Sequence, residues 1–188
     1  MTKAESIWHP DTQQRVFREL VEAFSRPGDI RNLSAWVGGA GALRAVLATL
    51  MDGEITLADP HGQVAPADRP LLQAKPDTIE HARYVTADGC RAPDFVPALG
   101  SLESPEFGAT VLIQVDSLGQ GEIALELSGP GIDGQRQLGL GGLHPDWLRR
   151  RAEWAAHFPL GVDLLLLDAH RIVALPRTTH IHLCGGGC

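Results

Sequence analysis

The chain has 188 residues, a length that suits one medium domain able to bury a core without disulfides or metals. Hydrophobic residues make up 44% and charged residues 21%, which is ordinary globular usage and excludes a fibrous or disordered chain. The net charge of −7 lacks the basic footprint that a general nucleic-acid binder needs to displace counterions.

The first segment with strong periodicity is Asp11 to Arg26. Val16, Phe17, Leu20, Val21 and Phe24 form one apolar stripe of a helix. Asp11 or Thr12 is placed to cap its start, and Pro27-Gly28 to stop it. A second helix is predicted from Ala42 to Met51, approached through the loose Gly38-Gly39-Ala40-Gly41. Short pieces follow: a strand at Ile55 to Ala58, a helix at Asp68 to Ala74, a strand at Ala82 to Val85, and a helical turn or two at Asp94 to Leu99.

Thr110 to Val115 is a continuous apolar run of the kind found in strands covered on both faces. Ile123 to Leu127 alternates and is expected to pair with it. Gly129 to Gly142 reads as glycine-rich and irregular. Pro145 to Ala156 is predicted as a helix, with Arg149-Arg150-Arg151 on its solvated face. Val162 to Leu167 and Arg171 to Leu175 have the spacing of a β-hairpin, and Ile181 to Leu183 makes a last short strand. The mixture predicts a single α/β domain over 1–188, a mixed β-sheet flanked by helices, with 185–188 as a flexible tail.

Three cysteines, Cys90, Cys184 and Cys188, make no disulfide framework and suit a reducing compartment. Met1 to Pro10 is short and polar, without the apolar centre of a signal peptide. The longest apolar run, Val162 to Leu167, is interrupted by Asp163 and far too short to span a membrane. A cytoplasmic protein is therefore expected.

Several clusters are chemically suggestive. Gly129-Pro130-Gly131-Ile132-Asp133-Gly134 spells a dinucleotide fingerprint, but the glycines that follow oppose the helix such a site needs, so a tight turn is the better reading. His180, His182, Cys184 and Cys188 resemble a ligand set, yet they crowd one terminus rather than joining two separated pairs, and no metal is expected. Arg177, Thr178 and Thr179, with His180 beside them, offer a guanidinium fork and two hydroxyls, suited either to an anion or to a subunit contact. A turn satisfying its own backbone is the alternative. Asp163, inside an apolar run, needs a partner or is a catalytic acid or base, and Glu106 invites the same two readings. No nucleophile-base signature stands out.

Five segments in order carry a family resemblance: Phe17-Arg18-Glu19-Leu20 running into Ser25-Arg26-Pro27-Gly28; Pro105-Glu106-Phe107-Gly108-Ala109-Thr110; Leu127-Ser128-Gly129-Pro130-Gly131-Ile132; Phe158-Pro159-Leu160-Gly161-Val162-Asp163-Leu164; and Pro176-Arg177-Thr178-Thr179 with Cys184 close behind. In order and spacing the chain resembles the H subunits of the bacterial carbon–phosphorus lyase complex. That resemblance implies a part in phosphonate breakdown, where adenine of ATP is displaced by an alkylphosphonate to give a ribose 1-phosphonate 5-triphosphate. It places the chemistry on another subunit and implies a non-catalytic role here, with the other core subunits as partners. Separately, the isolated chain is expected to form a homodimer, because an apolar surface meant for a partner seeks cover. The resemblance also implies a fold like the large domain of pyridoxal-phosphate (PLP)-dependent transferases, without the cofactor.

The lysine content agrees with that last implication, because a Schiff base needs a lysine beyond a core strand. Only Lys3, near the start, and Lys75, before Pro76 in a polar stretch, are present. No catalytic residue carries over from the resemblance, and no cofactor is expected. The alternative is a stand-alone enzyme or binding protein for a phosphorylated or phosphonylated small molecule. There Arg177 and its threonines would hold the anion, and Asp163 or Glu106 would act as acid or base.

Overall fold

A computed structural model describes residues 5–184. Lys3, Cys188 and the 185–188 tail lie outside the described residues. In chain order the elements are α1 (Pro10–Ser25), β1 (Arg31–Asn32), α2 (Ser34–Val37), α3 (Ala42–Leu50), β2 (Thr56–Ala58), α4 (Arg69–Leu72), β3 (Lys75–Pro76), β4 (Tyr84–Asp88), β5 (Thr110–Gln114), β6 (Ser117–Ser128), β7 (Arg136–Gly141), α5 (Asp146–Trp154), β8 (Asp163–Leu167), β9 (Arg171–Leu175) and β10 (His180–Leu183). The mixed α/β architecture is as the sequence suggests. A seven-stranded sheet runs β1-β9-β8-β5-β4-β2-β3, and a separate three-stranded antiparallel sheet runs β10-β6-β7.

Alternation along the central strands divides the core into two layers. In β5, Val111 and Ile113 point to one face and Leu112 to the other; in β8, Leu164 and Leu166 oppose Leu165 and Leu167; in β9, Val173 and Leu175 oppose Ile172 and Ala174. The first set packs with α5 and the three-stranded sheet, and the second with α1 and α3. A strand covered on both faces has no polar positions to offer, which is why β5 and β8 read as unbroken apolar runs. The parallel neighbours of β5 are β4 and β8.

Ile123 to Leu127 does not pair with Thr110 to Val115. It belongs to β6, whose partners are β7 and β10. The reason is visible in the residues: Leu125 and Leu127 are buried while Ala124 is exposed and Glu126 half-buried, the pattern of a sheet with one covered face, which cannot sit beside a doubly covered strand. The glycine-rich stretch expected to be irregular contains β7. Its Gly139 meets the bulged part of β6 so closely that a Cβ there would lie 2.9 Å from Gln120 Cα. That glycine marks close strand approach rather than absence of structure.

Asp94 to Leu99 is not helical. Pro93 precedes it and Pro97 interrupts it, Phe95 stacks on Trp154, and Leu99 bridges to Gly108. Helix α1 begins at Pro10 and is capped by His9, whose Nδ1 accepts from the Asp11 N–H, rather than by Asp11 or Thr12.

The β8–β9 hairpin turns on Asp168. Its carboxylate accepts from the N–H groups of His170 and Arg171 and from the Arg171 guanidinium at 2.7 Å, and it also reaches the N–H of Leu118 in β6. Burial opposes the charge, but the Arg171 side chain and the two turn N–H groups outweigh it and hold the carboxyl below its usual pKa. A carboxyl lowered on folding adds stability that is complete above its unfolded value, near 4, and is lost as pH falls through the lower folded value. Urea midpoints at pH 6 and pH 3 should therefore differ less in Asp168→Asn than in the parent chain.

Candidate functional site

Three of the five signature segments meet at one point. The Asp163 carboxylate, at the start of β8, accepts from the backbone N–H of Arg177 at 2.8 Å and from its Nη2 at 2.9 Å, with Nε at 3.3 Å. The second terminal nitrogen of Arg177 donates to the carbonyls of Pro105 at 2.8 Å and Pro159 at 3.3 Å. Gly108 is the floor of this knot: a Cβ there would stand 2.3 Å from the Gly161 carbonyl and 2.8 Å from Arg177 Nη1. The segments Pro105–Gly108, Phe158–Asp163 and Pro176–Arg177 are thus tied by one guanidinium.

The other two segments meet elsewhere. Gly131 has φ +83°, and its missing Cβ would lie 2.5 Å from the carbonyl of Ser25, so the turn after β6 closes directly onto the end of α1. The formal dinucleotide fingerprint is therefore a packed turn leading into β7, not into a helix.

Arg177, Thr178, Thr179 and His180 line a single cleft of roughly 470 Å³ between α5 and the β9–β10 corner. Arg177 lies at its edge, its side chain 13% exposed and its fork already engaged. Pro176 to Thr179 is a turn, with the Thr179 N–H donating to the Pro176 carbonyl at 2.9 Å. His180 and His182 are both exposed on β10, and Cys184 Sγ contacts Gln137 Oε1 at 3.2 Å. No cluster of three potential metal ligands exists among the described residues. Glu106 is exposed in a turn of 3₁₀ helix next to Pro105, whose carbonyl Arg177 holds, and the Glu106 carbonyl accepts from Arg83.

The residue that sequence reading misplaced is Arg151. It is not on a solvated face: it is 5% exposed. Its Nη2 donates to the carbonyls of Pro176 at 2.6 Å and Thr179 at 2.9 Å, clamping the turn. Its Nε has no partner among the described residues, nor has the buried Oγ1 of Thr179. Burial pushes its pKa down to about 10, with the field of Asp163 opposing, and it remains a cation at neutral pH. The signal was available: Trp147, Arg151 and Trp154 lie at i, i+4 and i+7, the buried stripe of α5. Arg149 does face solvent, and Arg150 does so in part, its guanidinium 5.8 Å from the Trp154 ring centroid; both pair with Glu153 at 2.8 Å.

Two further concavities flank the main sheet. One, of roughly 240 Å³, lies beyond the carboxyl ends of β5 and β8 beside the start of α3, where open α/β sheets commonly bind ligands. Arg44 and Asp68 close it with a fork of 2.6 and 2.8 Å. The other, of roughly 400 Å³, is an apolar groove under α1, formed by Phe17, Val21, Phe24, Leu50, Tyr84 and Leu165. Phe17 is 50% exposed and Val21 48%, so only half of the α1 stripe is used for the core.

Comparison with known proteins finds relatives along nearly the whole chain. A protein described as the C-P lyase subunit HtxG, from Stutzerimonas stutzeri, is 46% identical over 179 residues, which is 95% of this chain and 90% of that protein. The alpha-D-ribose 1-methylphosphonate 5-triphosphate synthase subunit PhnH of Rhizobium meliloti (strain 1021) is 31% identical over 179 residues, 89% of each chain. The family model for the bacterial phosphonate metabolism protein PhnH matches residues 5–182. On that near-complete match, the chain belongs to the PhnH family of bacterial phosphonate metabolism proteins.

Proposed function

We propose that this chain is a subunit of a carbon–phosphorus lyase complex in organic phosphonate catabolism. In this reading it supports formation of alpha-D-ribose 1-methylphosphonate 5-triphosphate from ATP and alkylphosphonate while other subunits carry the catalytic groups. The observation that carries the proposal is similarity along nearly the whole chain to two proteins named as such subunits. The geometry supports a non-catalytic role: Asp163 is held in an ion pair by Arg177 and is not free to act as an acid or base, and Glu106 is exposed in a surface turn.

The contact surface we assign is the groove under α1. A contiguous apolar patch at the surface favours a partner, and Phe17 with Val21 presents one. In the isolated chain the same patch favours a homodimer. A likeness to the large domain of PLP-dependent transferases, without the cofactor, is part of the same reading. What supports it is the mixed seven-stranded sheet flanked by helices; Lys75 lies on the outermost strand β3 with its amine 3.8 Å from Glu54. No helix among the described residues is long and apolar enough to cross a membrane, and we assign the complex to the cytoplasm. Co-expression of the full chain with the other core subunits, followed by size exclusion, is expected to give a common peak. Persistent elution apart from every one of them would remove the proposal.

A further inference from the structure

Strand β10 closes the three-stranded sheet with an open side. The Cys184 N–H donates to the Ala124 carbonyl at 2.9 Å, so in the β10–β6 register Cys184, His182 and His180 share the ladder with Ala124, Glu126 and Ser128. Antiparallel pairing alternates, and the N–H and carbonyl groups of Ile181 and Leu183 therefore point away from β6. No strand follows β10 in the sheet order, and no other described segment takes up those groups. The edge strands of the main sheet, β1 and β3, are only two residues long and offer little to pair with. Strand β10 runs for four residues without the proline or lysine that commonly guards an edge.

The cleft of roughly 470 Å³ is bordered by His180, Ile181 and His182 on one side and by Ala152, Ala155 and Phe158 on the other. Successive residues of β10 belong to opposite faces of the sheet, so a cleft that touches all three lies along the edge of the strand. Ile181 and Leu183 share the covered face with Leu127 and Leu125, yet Leu183 is 63% exposed, and Phe158 across the cleft is 67% exposed. A strand laid along β10 would bring alternate side chains over these apolar groups. No carboxylate lines the cleft, while His180 and His182 stand exposed on the other face of β10. Acidic side chains on that face of an incoming strand would meet donors, and basic ones would meet none of their counter-ions.

We propose that an extended segment of a partner subunit, apolar on one face and acidic on the other, adds to the outer edge of β10 as a further strand. Main-chain bonds to Ile181 and Leu183 would supply affinity, and the wall at Ala155 and Phe158 selectivity. This contact is separate from the α1 groove, and it rests on the subunit reading for the source of the segment. A second copy is the poorer occupant, because pairing β10 with β10 sets the histidines of one chain against those of the other.

Amide hydrogen exchange on the full chain tests this, with an end-blocked peptide of alternating valine and glutamate as the probe and its valine–lysine counterpart as the control. In the free chain the Ile181 and Leu183 N–H groups are expected to exchange faster than those of His182 and Cys184. The glutamate peptide is expected to slow both at least about tenfold, and the lysine peptide to leave them unchanged. Leu183→Pro removes an outward N–H without touching the β6 ladder, so the unfolding midpoint should hold; Leu183→Ala removes the side chain but keeps the N–H. With the lyase subunits co-expressed, Leu183→Pro is expected to weaken association at least about tenfold more than Leu183→Ala. Should Leu183→Pro not fold, the exchange measurement decides. No slowing by the glutamate peptide, or Leu183→Pro no worse than Leu183→Ala, overturns strand addition, and equal slowing by the lysine peptide overturns the acidic partner. Protection in the free chain that grows with its concentration gives the edge to a second copy and overturns the proposal as well. The exchange measurement needs no other subunit, so a parent chain that fails to co-elute while the peptide still protects both amides counts against the subunit reading alone.

Discussion

Arg177→Ala is expected to lose about 3 kcal/mol of folding stability, seen as a clear fall in the urea midpoint, whether or not any ligand is present. The size follows from what the truncation strands. Asp163, at the start of β8 with its side chain 23% exposed, is left with only a backbone N–H of its former partners at Arg177. The carbonyls of Pro105 and Pro159 lose their donor at the same time. Removing one member of a largely buried pair costs more than the pair contributes, because the survivor remains desolvated.

Two companion variants separate causes. Arg177→Lys retains the charge but not the planar fork, and should recover part of the loss, since one ammonium cannot reach both carboxylate oxygens and two carbonyls in fixed directions. Asp163→Asn with Arg177→Ala should be less harmful than the two single losses added together, because the stranded charge is gone. If Arg177→Ala instead left the midpoint unchanged, the knot would not be what joins the three segments.

This knot explains why the signature was readable as a pattern before it was readable as a structure. Pro105 to Gly108, Phe158 to Asp163 and Pro176-Arg177 are far apart in sequence, yet each has to fit one guanidinium, so the residue types at each place are restricted together. The sequence marked Asp163 as a carboxylate needing a partner and Arg177 as a fork needing an acceptor. Nothing in the one-dimensional pattern said that each was the answer to the other. The same geometry occupies the fork of Arg177 and buries Arg151 beneath the Pro176–Thr179 turn.

Arg151 was misread because three consecutive arginines look like a charged surface, and two of them are. Helical spacing from Trp147 and Trp154 places the third inside. Charge run and apolar stripe pointed in different directions, and the stripe prevailed because two tryptophans bury far more area than one arginine costs when its stem is apolar and its head is hydrogen-bonded. The central hairpin was legible for the opposite reason: in Asp163 to Leu175 length, turn residues and apolar content agree. Strand partners were less legible. Pairing of β6 depends on which face is covered, and its alternation bears on that only once β5 is known to be covered twice.

The α1 stripe leads to the second large effect. Five apolar positions were read as one core face, but Val16 and Leu20 are buried while Phe17 and Val21 remain about half exposed. A helix does not need that width to anchor itself. Together with Phe24, Tyr84 and Leu165 the surplus makes a groove shaped for an apolar anchor from a partner. Phe17→Glu combined with Val21→Glu is therefore expected to weaken association with the other lyase subunits by at least about 2 kcal/mol, roughly thirtyfold. Glutamate is a good helix former, so α1 itself should persist. Because part of each side chain is already in water, the loss of folding stability should stay under about 1.5 kcal/mol. Size exclusion of the co-expressed complex measures the first effect, and urea unfolding of the isolated chain the second. An intact complex with both glutamates in place would move the contact surface away from α1. In that case the exposed residues of β10 and the aromatic rim at Phe158, 67% exposed, become the next face to test.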